Sequence, residues 1–159
     1  MKGILAIVLI AQLYTYTEGC TCFNPDINRP IACDSDFIIK TRIKSNLKSP
    51  KGPPTVEQTS YYKTSKPRSD HIYKFNGVVS IINLKKVYTA DNSAACGVDT
   101  LQKGKTYVLS GRIDEANKRL TIDLCGSWIR PEPISNATMQ LLMEFKNKTV
   151  NCPPRIVPS

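Results

Sequence analysis

The sequence predicts a mainly β domain: a small closed barrel of five to six strands with one helix near its end, tied by three disulfides. Three observations predict it. Short runs rich in β-branched and aromatic residues recur through the middle of the chain, separated by turn-forming clusters. The cysteines number six, an even set of the kind that staples small secreted domains. Clear helical spacing occurs in a single late segment.

The first stretch stands apart from the fold. Lys2 supplies a short positive start, and Gly3 to Leu13 form an apolar run too short to span a bilayer. Thr17 and Gly19 are small residues at the −3 and −1 positions of a cut before Cys20. Residues 1–19 therefore read as a secretory signal peptide, the alternative being an N-terminal anchor helix. No other apolar run could cross a membrane. One domain over residues 20–152 and an exposed tail at 153–159 follow. All six cysteines (Cys20, Cys22, Cys33, Cys96, Cys125 and Cys152) lie in that secreted chain.

Within the domain, Asp36–Ser45 reads as a half-buried strand. Phe37, Ile39 and Ile43 alternate with Lys40, Arg42 and Lys44, although Ile38 and Thr41 blur the pattern. Asn46 to Asp70 is rich in Lys, Ser, Pro and Thr and reads as a long loop or hairpin, with Tyr61-Tyr62 marking a short strand. Ile72–Leu84 is read as one strand with a bulge or bend at Gly77. Lys85–Ala90, Lys105–Ile113 and Arg119–Leu124 complete the strands, with EANK as the turn before the last. Pro131 and Pro133 stop a strand ahead of the helix Ser135–Lys146, whose N-cap is Ser135. Met139, Leu142, Met143 and Lys146 share one helix face, with Leu141 and Phe145 beside it. An OB-like Greek-key barrel fits this inventory, with a β-sandwich as the competing arrangement.

Enzyme chemistry finds little to work with. The chain has one histidine, His71, and no carboxylate pair or Ser/His/Asp set can be built around it. There is no HExxH helix, no CxxC pair and no Gly-rich phosphate loop. In an oxidising compartment the cysteines suit disulfides better than zinc. The formal net charge of +9 suits acidic glycans or a receptor surface, or simply solvates a small domain. Nucleic acid fits neither the compartment nor any motif present.

The mature N-terminus is the exception. Cys20-Thr21-Cys22 would begin the secreted chain. An α-amino group has a reference pKa of about 7.7 to 8.0, so part of it is neutral and able to donate to a metal. With the adjacent Cys20 carbonyl it can close a five-membered chelate ring on zinc. Catalytic zinc in a protease keeps one position open for water, and this pair could take it. Tying residues i and i+2 to distant parts of the fold would hold the segment rigid and lower the entropic cost of binding. The plainer reading is that CTC is only a staple.

At these residues the sequence resembles a known family. Cys20-Thr21-Cys22 directly after a signal peptide is similar to the start of the tissue inhibitors of metalloproteinases (TIMPs). The likeness continues through IACDSDFIIKTRIKS around Cys33, KKVYTADNSAACGV around Cys96, GKTYVLSGRID, RLTIDLC ending at Cys125, and the late Cys152. The resemblance implies an OB-type barrel of the netrin-like class and the pairings Cys20–Cys96, Cys22–Cys125 and Cys33–Cys152. It implies that Cys20 chelates the zinc of a target protease, which is not a cofactor of the inhibitor itself. Thr21 would enter the specificity pocket, and Cys22, Phe23 and Asn24 would continue along the primed side. Ala94 and Ala95, with Cys96, would touch the other side.

The resemblance further implies matrix-type zinc metalloproteases as partners, bound as 1:1 complexes by a secreted monomer. Ten residues separate Cys22 from Cys33, one more than in vertebrate members, and Phe23 is bulkier than the residue usual there. The chain ends soon after Cys152, so the family's second module is not expected, as in invertebrate forms. The alternative is a non-inhibitory netrin-like binding module for glycans or a receptor. Asn136-Ala-Thr138 and Asn147-Lys-Thr149 are candidate N-glycosylation sites.

Overall fold

A computed structural model describes residues 20, 28–49, 59–78, 80, 85–92 and 94–153. The expected signal peptide at 1–19, the tail beyond Pro153 and the 50–58 part of the basic loop lie outside the described residues. In chain order the elements are α1 (Asn28–Asp34), β1 (Phe37–Arg42), β2 (Thr59–Lys63), a 3-10 turn (Ser69–His71) and β3 (Ile72–Phe75). Next come β4 (Lys86–Ala90), β5 (Thr106–Asp114), β6 (Arg119–Thr121), β7 (Ile129–Pro131) and α2 (Asn136–Lys146).

The strands form one seven-stranded sheet in the order β2-β4-β6-β5-β1-β3, with β7 added on β5. The β4–β6 pair is parallel and every other pair is antiparallel. Past Arg42 the chain of β1 swings onto β2: Ile43 bridges Thr64, and the Lys44 N–H donates to the Lys63 carbonyl at 2.7 Å. That contact joins the two flanks, so β2, β4, β6, β5 and β1 make a closed ring of the OB-like kind. β7, which no run in the sequence predicted, takes the total to seven, one above the five or six strands expected.

β1 shows why its sequence alternation is blurred. Phe37, Ile39 and Ile43 point into the barrel with Tyr62, Val87, Leu109 and Leu120, whereas Ile38 packs on the outside with Val108, Trp128 and Leu142. Both faces of β1 are covered, so an apolar residue is favoured on each. β5 behaves likewise, with Tyr107 and Leu109 inside and Val108 outside. Gly111 on β5 is required by close approach: a Cβ there would lie 2.1 Å from the Thr121 carbonyl oxygen and 3.0 Å from the Phe37 ring.

Two expectations need correction. The strand expected over Ile72–Leu84 ends at Phe75; Asn76 to Val78 are not in a strand, Val78 is exposed, and Ser80 is helical. Gly77 does lie in a bend, just past the end of β3, and a separate irregularity falls between Ile38 and Ile39, where the β1–β3 register shifts. The apolar helix face is also rotated. Leu142 and Phe145 are buried, while Met139 and Met143 are 38% and 41% exposed. The surface beneath α2, built from Tyr73, Val108 and Trp128, receives the Leu142–Phe145 edge and leaves the methionines outward.

Ser135 caps α2, its Oγ accepting the Thr138 N–H at 3.2 Å. α1, which no periodicity marked, is a two-turn helix carrying Pro30 in its first turn, where a missing N–H costs nothing. A disulfide joins Cys33 of α1 to Cys152 beyond α2, closing the outer layer over the barrel.

Candidate functional site

The site lies where β4 and β6, running parallel, deliver their following loops to the same edge of the barrel. β4 ends at Ala90 and leads into a tight turn. Asn92 organises that turn. Its Oδ1 accepts the Ala95 N–H at 2.8 Å, its Nδ2 donates to Asp91 Oδ1 at 2.8 Å, and its carbonyl accepts the Gly97 N–H at 2.9 Å. Cys96 adopts a left-handed conformation with φ 59°. Gly97 then passes so close to the incoming strand that a Cβ would sit 2.4 Å from the Ala90 carbonyl oxygen. Ala94 and Ala95 stand exposed at the tip.

Under this loop the chain is fixed by two buried contacts. The Val98 N–H donates to Thr89 Oγ1 at 2.8 Å, and the Tyr62 hydroxyl donates to the Val98 carbonyl at 3.0 Å. Burial pushes the Tyr62 phenol above its usual value, so it stays a neutral donor.

The second loop follows β6. Asp123 Oδ1 accepts the N–H of Cys125 at 2.9 Å and that of Gly126, and the Asp123 N–H donates to Ser127 Oγ at 3.1 Å. The Leu124 N–H donates to the Cys96 carbonyl at 2.9 Å, tying the two loops together.

Cys20 is inserted between them. It is disulfide-bonded to Cys96, and its sulphur lies 3.1 Å from that of Cys125. The sulphurs of Cys20, Cys96 and Cys125 all lie within 4.8 Å of one another. Each is disulfide-bonded, so none offers a thiolate to a metal. The structure thus brings Cys20, Ala94, Ala95, Cys96 and Cys125 to one edge. Thr21, Cys22, Phe23 and Asn24 lie outside the described residues, and with them the partner expected for Cys125. His71 is elsewhere, in the 3-10 turn, with Asp70 Oδ2 3.8 Å from its Nε2.

The family model for tissue inhibitor of metalloproteinase matches residues 18–157, spanning both loops, all six cysteines and both helices. The chain belongs to the tissue inhibitor of metalloproteinase family. At family level it is an inhibitor of metalloproteinases, not an enzyme. A search of curated proteins found no match. Among the described residues no helix is long and apolar enough to cross a membrane.

For a tissue inhibitor of metalloproteinase, sequence reasoning named the cysteines and alanines of this edge but missed the residues that hold them. Asn92, Gly97, Asp123 and Ser127 set the loops. Their signal was present in DNSAACG and DLCGS, where an Asn or Asp precedes a cysteine by a few residues and a glycine follows it.

Proposed function

We propose that the chain is a secreted inhibitor of zinc metalloproteases whose working group is the N-terminus freed by cleavage between Gly19 and Cys20. The observation that carries this reading is the placement of Cys20, clasped by the Cys96 disulfide and set against Cys125 between two internally hydrogen-bonded loops. A terminus anchored in this way has little conformational freedom left to lose when it enters a cleft.

The amine and carbonyl of Cys20 take the open position on the protease zinc and displace the water that would act as nucleophile. With no residue ahead of Cys20 there is no peptide bond across the metal to cleave. Thr21 enters the specificity pocket, and Cys22, Phe23 and Asn24 follow the primed side. Ala94 and Ala95 are small and exposed, which lets the protease wall approach the Cys20–Cys96 staple closely. The partners are matrix-type zinc metalloproteases in 1:1 complexes with a monomeric inhibitor.

The test is a titration of N-terminally sequenced protein against a panel of zinc metalloproteases. Stoichiometric inhibition by material beginning at Cys20, lost on carbamylation of that amine, supports the mechanism. Inhibition that survives carbamylation, or an added alanine ahead of Cys20, excludes it.

One observation favours a second reading, a binding module for acidic glycans. Backbone hydrogen bonds place Lys44 against Lys63, Arg42 against Ser65, Ile43 against Lys105 and Thr64 against Lys85. The side chains of Arg42, Lys44, Lys63, Lys66, Lys85 and Lys105 are all exposed there, and no acidic residue lies within 42–49, 63–67, 85–86 or 103–106. In the β2–β4 ladder Lys63 pairs with Lys86, whereas the Cys96 loop leaves from Ala90, about 13 Å away along the strand. Heparin retention that falls steeply with salt, in protein inactive on every protease, would support this module in place of the inhibitor.

A further inference from the structure

The two sequons identify acceptor asparagines, and the structure shows how they are arranged. Asn136 opens α2 and Asn147 is its C-cap, with helical φ and ψ of −84° and −1°. Eleven residues at 100° each return almost to the starting direction, so the two asparagines stand in line, about 16 Å apart along the axis. Both are exposed.

The line they define faces directly away from the buried Leu142–Phe145 edge. Gln140 and Met143 lie on it, and Met139 lies beside it. Met139 and Met143 are two of the large apolar side chains the fold leaves exposed, at 38% and 41%. An apolar stripe on a helix calls for a cover, and here an acceptor asparagine stands at each end of it.

We propose that N-linked glycans on Asn136 and Asn147 form one carbohydrate cover over the outer face of α2, shielding Met139 and Met143 and leaving the Cys20 edge bare. Transfer breaks the bond between sugar C1 and a lipid-linked pyrophosphate donor and forms a bond from C1 to asparagine Nδ2. The amide gives up one proton to the transferase, and the lipid pyrophosphate departs. Thr138 and Thr149 supply the hydroxyls that the sequon requires. α2 packs against β3, which pairs with β1, and in the closed five-strand ring no strand lies farther from β1 than β4 and β6 do. Bulky sugars on α2 therefore project from a different side of the barrel than the Cys96 loop.

The inference rests on the secretory part of the functional reading, and the experiment separates the two. The full chain is expressed in a eukaryotic secretory host, its N-terminus is sequenced, and its mass is taken before and after peptide-N-glycosidase. Asn136→Gln and Asn147→Gln should each remove one glycan from the mass. Sulfoxide formation at Met139 and Met143 under dilute peroxide should be several-fold faster once the glycans are removed enzymatically from the folded protein. Protease inhibition should be the same in both forms. Secreted protein that begins at Cys20 yet carries no carbohydrate overturns the proposal, as do methionines that oxidise equally fast with and without glycans. Protein retained in the cell with its first residues intact overturns the secretory reading, and the cover with it. Enzymatic removal keeps the oxidation test valid should either substitution impair folding.

Discussion

Asp123 holds Cys125 through the backbone: its Oδ1 accepts the Cys125 N–H at 2.9 Å and also takes the N–H of Gly126. One carboxylate thus shapes the loop whose cysteine sulphur lies against Cys20. Asp123→Ala should cost about 1–3 kcal/mol in unfolding free energy, because two backbone donors lose their acceptor. It should also weaken protease inhibition, mainly by faster dissociation. Asp123→Asn keeps an acceptor oxygen and should restore most of both. Denaturant unfolding together with inhibition kinetics checks this, and an alanine variant with unchanged inhibition would separate the loop from the working edge.

In the proposed mechanism Thr21 enters the protease pocket. Thr21→Gly should raise the inhibition constant by removing its pocket contacts while leaving the unfolding midpoint in place. Thr21→Arg should raise it further, since a long charged side chain should clash or be poorly paired in most such pockets. Equal inhibition constants for parent, glycine and arginine forms would remove Thr21 from the interface.

Two glycines make a matched pair for stability. Gly111→Ala drives a methyl to within 2.1 Å of the Thr121 carbonyl oxygen, a backbone atom that cannot step aside. The loss should exceed about 4 kcal/mol or prevent folding. Gly104 has φ 89° but nothing within 4 Å of its added Cβ. Gly104→Ala should therefore cost only about 1–2 kcal/mol of backbone strain. Thermal unfolding of the two variants gives the comparison directly.

The rotated face of α2 is tested by neighbouring truncations. Leu142→Ala opens space under a fully buried side chain and should cost about 2–5 kcal/mol. Met143→Ala removes an exposed one and should change stability by no more than about 0.5 kcal/mol. The reverse order would restore the face read from spacing alone.

Tyr62 supplies a pH dependence. Its phenol ordinarily ionises at 10.0, and burial raises that value in the folded protein. Above pH 10.0 the unfolded chain releases this proton while the folded chain keeps it, so stability is full below 10.0 and falls as pH rises toward the folded value. Tyr62→Phe should cost about 1 kcal/mol at neutral pH through the lost Val98 contact, and should flatten the decline above pH 10.0. Urea unfolding across that range, with parallel declines for both proteins, would assign the alkaline loss to other groups.

Much of this protein could be read from local pattern. β4 and β5 are bounded within one residue and β1 within three, because a strand buried on at least one face must repeat its side chains with a period of two. The helix and its cap were legible, since Ser135 answers an orphan N–H only a few residues away. The Cys20-Thr21-Cys22 motif and the even set of six cysteines carried the resemblance that pointed to the edge around Cys20.

Other features depended on neighbours distant in sequence. Which side of α2 is buried was decided by Tyr73, Val108 and Trp128, because the segment offers apolar residues on more than one face. β7, at three residues, is too short to show a period and exists through its pairing with β5. The end of the strand at Phe75 and the register shift between Ile38 and Ile39 were set across the β1–β3 ladder. The loops around Cys20 needed Asn92 and Asp123, whose turn chemistry gains its meaning only once β4 and β6 lie parallel. Sequence alone determines what each segment can bury and where it can turn. The tertiary structure decides which of those possibilities meet, because a long-range contact is stable only when both partners arrive at the same place.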